Sequence, residues 1–207
     1  MNTRTQHDDF LRYLGILYFG TAESPRRYVN RAYRDLSRTL HLKDASTSRE
    51  SKVNECARYL VGRFVEAMDG QAVCRSDADF DAWHRATCTS LMKKFGETDM
   101  RYGHAQKWVN MTLKYLFTAH ELDLYDVREL AGWYEYAHMP IDNVVLQALE
   151  DGGLPHPRPS VWSQMGEEAY FEFQKALRAT YAECPMDVEF MLWRGVGRPT
   201  RRMAETG

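Results

Sequence analysis

A lysine on the most apolar helix that the sequence predicts is the residue best placed to do chemistry. Lys107 lies in Tyr102-Gly-His-Ala-Gln-Lys-Trp-Val-Asn-Met-Thr-Leu-Lys-Tyr-Leu116, and Asn110, Met111 and Lys114 follow it at helical spacing on one face. The same helix carries Trp108, Val109, Leu113, Leu116 and Phe117, so a stripe of Lys, Asn and Lys must open onto a cleft or a solvent edge. In a cleft, desolvation lowers an amine's pKa and populates the neutral, nucleophilic form. A carboxylate is offered by Met139-Pro-Ile-Asp-Asn-Val-Val145, where Asp142 follows a proline and precedes an apolar run, as a helix N-cap does. The plain reading is a capping aspartate. Aimed into a cleft, the same ionised carboxylate also stabilises positive charge that develops during a reaction.

Helices must position both groups. Apolar periodicity predicts one over Phe10 to Phe19, stopped at Gly20, and a second entered through Pro25 and running to Leu40. The polar segment 41–51 reads as a loop or helix start, followed by helices from Val53 to Met68 and from the Ser76-Asp77 cap to Gly96. The central helix spans Ala105 to Ala119. Helical pattern resumes over Val127 to Tyr136, Ile141 to Leu149, Glu167 to Tyr181 and Met186 to Trp193, with a Gly- and Pro-rich loop at 152–159. No hairpin strand pair and no internal repeat is present, so the fold expected is all-α.

The 207 residues suit a single domain, 44% hydrophobic, which is enough to build a core. No apolar run reaches the roughly 20 residues of a membrane span, and the first ten residues lack a secretory signal, so a cytoplasmic address and no membrane partner are expected. Four scattered cysteines, Cys56, Cys74, Cys88 and Cys184, read as reduced core thiols. The histidines fall in separate segments and no carboxylates gather at metal spacing, which argues against a metal site and a metal-dependent nuclease. A net charge of -2 argues against wholesale polycation binding to nucleic acid, but the charges are uneven. Arg26, Arg27, Arg31, Arg34 and Arg38 crowd one segment, and Arg194, Arg198, Arg201 and Arg202 another; each is able to hold phosphates or to form a solvated face.

Taken together, the Lys107 and Asp142 segments resemble the helix-hairpin-helix-GPD DNA glycosylases, most closely the archaeal 8-oxoguanine glycosylases. In that clade a Gln-Lys pair opens a helix of the form Q-K-x-x-x-x-x-x-K, here Gln106, Lys107 and Lys114, and an I-P-x-D-x-x-V motif follows, here Pro140, Asp142 and Val145. The separation of 35 positions fits that clade better than the shorter spacing of the main family. A third fragment, Glu189-Phe-Met-Leu-Trp193, is similar to the acid-x-x-Leu-Trp segment that helps close the base pocket, with Glu where Asp is usual. The family's glycine-rich hairpin is missing, Gly103 being the only glycine near Lys107, and the N-terminal half matches nothing.

The resemblance implies two helical lobes with a cleft between them, an N-terminal lobe over about 1–98 and the catalytic helices over about 99–207. It implies a monomeric DNA glycosylase without a cofactor, acting on double-stranded DNA with a modified base, an oxidised purine by the closest resemblance. The departures from that pattern leave room for a hypermodified pyrimidine such as glucosylated hydroxymethylcytosine in phage DNA, the substrate of bacterial anti-phage glycosylases that the chain also resembles. Asp142 would stabilise the cationic sugar, and Lys107 would attack C1′ and allow strand cleavage, or leave that attack to water. Met111, Glu189, Trp193 and Gln106 would contact the flipped base; Arg101, Gly103, His104, Lys114, Arg194 and Arg198 would meet the DNA, with Gly103 at the hairpin turn. The rival expectation is a helical DNA-binding or protein-interaction module without catalysis.

Overall fold

The computed structural model describes residues 3–20, 24–41, 48–155, 157, 160–194 and 199–202. Among them it is all-α, as expected, with no strand beyond an isolated bridge between Tyr181 and Arg201. The helices are α1 (Thr3–Phe19), α2 (Arg26–Leu36), α3 (Arg49–Met68), α4 (Asp77–Phe95), α5 (Tyr102–Glu121), α6 (Arg128–Ala131), α7 (Asn143–Asp151), α8 (Glu167–Thr180) and α9 (Pro185–Arg194). None is long and apolar enough to cross a membrane.

Helix α5 is the hub because nearly all of its circumference is apolar or engaged, and each face meets a different neighbour. Trp108 points at α2, where its indole donates to the Val29 carbonyl at 2.9 Å and its ring lies 4.9 Å from that of Tyr33. Helix α4 covers a second face and α8 a third. The α4 start is fixed by Ser76, whose hydroxyl accepts from the Asp79 amide at 3.2 Å, and its end by Gly96 at φ +113°.

Several boundaries depart from the sequence reading, and α1 begins at Thr3 rather than Phe10. Helix α2 stops at Leu36 rather than Leu40, because the Ser37 and Thr39 hydroxyls take the Arg34 and Leu36 carbonyls that another turn would need. The helix expected over 127–136 is α6 followed by a 3-10 turn at Tyr134–Tyr136, the two parted by Gly132, a poor helix former. Helix α5 begins at Tyr102 and encloses Gly103. Gly103 is therefore not the hairpin turn; residues 96–101 form the connection between α4 and α5.

Gly103 has another task. Its amide donates to the Met165 carbonyl at 2.9 Å, and a Cβ there would overlap the Trp162 carbonyl oxygen. Gly103→Ala must push the 3-10 turn Trp162–Gln164 off α5 and is expected to cost about 2 to 3 kcal/mol by overpacking. Gly62→Ala, on a part of α3 with open space around it, should instead stabilise by roughly 0.5 to 1 kcal/mol. Urea melts of the two variants check this, and equal midpoints would refute the close approach.

The apolar stripe of α1 behaves differently from those of the other helices. Phe10, Tyr13, Leu14 and Leu17 share one face and remain exposed, while Phe19 and Tyr18 tie its end to Tyr28 and Tyr115.

Candidate active site

Helix α5 carries Lys107 to the N-terminus of α7. Its Nζ donates to Asp142 Oδ2 at 2.5 Å, and Asp142 Oδ1 accepts from the Val145 amide at 2.9 Å. The carboxylate thus caps α7, as the plain reading expects, and pairs with the amine at once, one oxygen for each. The lysine side chain is 6% exposed and the aspartate 22%, so the pair looks outward through its acid.

The residues beneath fix this geometry. Gln106 Nε2 donates to the Ile141 carbonyl at 3.0 Å and its Oε1 accepts from the Ile141 amide at 3.3 Å, clamping the residue next to Asp142. Asn110 donates to the Met139 carbonyl and to Tyr170 Oη, and Gln174 donates to the same carbonyl. Behind them Tyr170 Oη donates to His138 Nδ1 at 2.8 Å, and His138 Nε2 donates to Asp81, which Arg178 also holds. On the other side His84 Nε2 donates to Asn110 Oδ1 at 3.0 Å, while Nδ1 accepts from Tyr102 Oη. This pattern has both imidazoles neutral as Nε2–H tautomers, assigned from the network. The segment 138–142 is stitched to α5 and α8 through side chains, which makes Asp142 a rigid rather than a loop-borne group.

Burial lowers the His138 pKa to about 4 and lowers that of His84 well below its ordinary value. The unfolded chain protonates histidine near 6.5, so the unfolded state binds more protons once pH drops below that value. Stability is therefore fully present above about pH 6.5 and lost progressively as pH falls toward 4. Urea midpoints should drop between pH 6.5 and 5, where carboxylates remain ionised; a flat profile would contradict neutral burial.

Lys107 and Asp142 open into a cleft of about 990 Å³. Met111, Phe190 and Trp193 wall it on the α5–α9 side, and α1 and α2 face them with Leu14, Tyr18 and Arg31. At the α2 wall Tyr115 Oη donates to Asp35 Oδ2 at 2.6 Å and Arg31 donates to Asp35 and to Tyr18 Oη. Further along α5, Lys114 Nζ donates to Glu189 Oε1 at 2.7 Å and also to Oε2. The same ammonium lies 4.7 Å from the Phe190 ring centroid and 5.4 Å from that of Trp193. Desolvation raises the Glu189 pKa, while Lys114 and Lys107 oppose the shift.

Of the residues singled out in the sequence, Lys107, Met111, Lys114, Asp142 and Trp193 line this one cleft, as do Arg31, Arg34 and Arg38 of the first arginine cluster. Others lie elsewhere and their expected contacts are corrected. Gln106 is fully buried with its amide spent on Ile141, which makes it a positioning residue rather than a base contact. Glu189 is 2% exposed and both its oxygens are taken by Lys114, so the cationic partner, not the acid, faces the cleft. Gly103 and His104 are buried at the start of α5; His104 Nδ1 accepts from the Arg101 amide and burial lowers its pKa to about 4, leaving it neutral and not among the cleft-lining residues. Arg101 is exposed at the N-cap of α5, away from the cleft lining. The Arg194 side chain and Arg198 lie outside the described residues.

Sequence reasoning missed the α1 and α2 wall and the polar network under Asp142. The first has a faint signal: Arg31 and Arg34 fall opposite Tyr28, Val29, Ala32 and Leu36 on α2, and Arg38 follows just past its end. The second has none, since its members come from α4, α5, α8 and a loop. Comparison with protein-family models, with curated proteins and with solved structures returns no match.

Proposed function

We propose that the protein is a DNA glycosylase that excises a modified base from a nucleotide flipped into the cleft. The observation that carries this reading is the Lys107–Asp142 contact, 2.5 Å long between residues 35 positions apart, at the wall of a cleft large enough for a nucleotide. Breaking a C1′–N bond leaves positive charge on the sugar, and a fixed, partly exposed carboxylate is the group that stabilises it. Asp142 takes that role. Lys107, after shedding a proton to solvent, supplies the electron pair that forms the new bond to C1′ as the C1′–N bond breaks, and the base leaves with that bonding pair and takes up a proton.

The resemblance of the Gln106-Lys107 and Pro140-Ile-Asp142 segments to helix-hairpin-helix-GPD glycosylases supports the same reading, as do the α4–turn–α5 arrangement and the opposed walls from α1–α2 and α5–α9. On this view the two walls are the two lobes. A base must leave the duplex to reach such a cleft, and Met111, Phe190 and Trp193 offer it apolar and aromatic faces. The cleft is at the upper end of volumes that hold drug-sized ligands, more than a bare base fills, which favours a base with a bulky substituent such as a hexose. Duplexes carrying 8-oxoguanine, uracil or glucosylated hydroxymethylcytosine, incubated with the protein and then treated with alkali, should break at the modified position in at least one case. Intact strands throughout, with protein in excess, would refute the reading.

A further inference from the structure

The five arginines of the 26–38 segment divide sharply by what they touch. Arg26 donates to Asn54 Oδ1 at 2.8 Å on α3. Arg27 reaches the Gly20 carbonyl, Tyr28 Oη and the Leu124 carbonyl, at 3.2, 2.6 and 3.3 Å. Arg31 pairs with Asp35 at 2.8 Å, donates to Tyr18 Oη at 2.7 Å and stacks 4.2 Å over the Tyr18 ring. These three fasten α2 to its surroundings. Arg34, in the last turn of α2, and Arg38, two residues past its end, are exposed, and their guanidinium groups make no hydrogen bond or ion pair with the described residues. Both line the cleft that Lys107 and Asp142 line.

The charges of that cleft leave these two unmatched. Asp35 is answered by Arg31, Asp142 by Lys107 and Lys114 by Glu189. Among the described charged residues lining it, only the guanidinium groups of Arg34 and Arg38 remain uncompensated by another described residue. Guanidinium forks match phosphate oxygens bidentately, and free ones at a cleft mouth attract anions. The start of α5 does not supply this grip, since the Gly103 amide is bonded to Met165 and His104 is buried and neutral.

We infer that Arg34 and Arg38 form a phosphate-binding pair that holds the DNA backbone beside the flipped nucleotide, so that the N-terminal helices carry part of the DNA grip. The inference rests on the reading that the cleft receives a DNA nucleotide. Each phosphate contact releases counterions, so its loss shows in the salt dependence of binding as well as in affinity.

The test uses a short fluorescein-labelled duplex with a tetrahydrofuran abasic-site analogue, whose binding is followed by anisotropy between about 50 and 200 mM salt. Arg34→Gln/Arg38→Gln is compared with wild type and with Arg58→Gln/Lys93→Gln, which removes two exposed positive charges remote from the cleft lining. The pair variant should weaken binding at low salt by more than tenfold and flatten the slope of log K against log salt by about 2, roughly 0.9 per lost contact. All proteins should melt alike, because none of the four side chains is buried. A pair variant that behaves as the remote control overturns the inference, and the glycosylase reading then survives if wild type still excises a base. Wild-type protein that binds no duplex at all overturns both.

Discussion

Asp142→Asn is expected to slow base excision by about 10²- to 10³-fold, the range seen when one group that stabilises transition-state charge is removed. Asparagine caps helices as well as aspartate does, so the Oδ1 contact to Val145 survives and only the charge is lost. The substitution therefore separates the two tasks that the carboxylate performs. It also leaves Lys107, 4% exposed, without its counter-charge, so the variant should melt somewhat earlier than wild type. Lys107→Gln/Asp142→Asn removes both charges and should restore much of that stability without restoring activity. Single-turnover excision and urea melts read the two effects apart. An Asp142→Asn enzyme that excises at the wild-type rate would reduce Asp142 to a helix cap. Lys107→Gln separately reports on the nucleophile: borohydride trapping of a protein–DNA adduct should vanish with it.

The largest expected stability effect lies one helical stretch away. Lys114→Met leaves Glu189 buried without its cation, and breaking such a pair from one side costs about 3 to 5 kcal/mol. The carboxyl can escape by taking a proton, and burial already raises its pKa. A folded-state pKa above the unfolded value means that the folded state binds more protons, so the variant should regain stability as pH falls. Lys114→Met/Glu189→Leu, with both charges replaced by apolar groups, should be close to wild type. Thermal melts at neutral and mildly acidic pH check both statements. Equal melting of Lys114→Met and wild type at neutral pH would show that the pair contributes nothing.

The residues that were legible in the sequence are those whose signal is local. Lys107 stands out because a cation interrupts an apolar helix, and Asp142 because a proline and an apolar run place it at a helix start. The turn at Gly96 and the Ser76 cap are local in the same sense. Gln106 and Lys107 are adjacent in sequence yet separated by about 100° around a helix buried on all sides, so one reaches the cleft and the other the Ile141 backbone. The sequence alone suggests a base contact for Glu189 because its 75-position pairing with Lys114 has no local trace. Gly103 suggests a turn in the sequence because its real constraint, the Trp162 carbonyl, is brought there by tertiary packing. The arginine cluster was visible as composition, but which of its members are spent on Asn54, Leu124 and Asp35 depends on where α2 docks.

The most direct measurement of the central claim is mass-spectrometric detection of free base released from modified duplex DNA under single turnover. Wild type should release the base from at least one modified duplex, and Asp142→Asn should do so at least about 100-fold more slowly. No free base from any duplex that the wild-type protein binds would contradict the assignment of Lys107 and Asp142 to glycosidic bond cleavage.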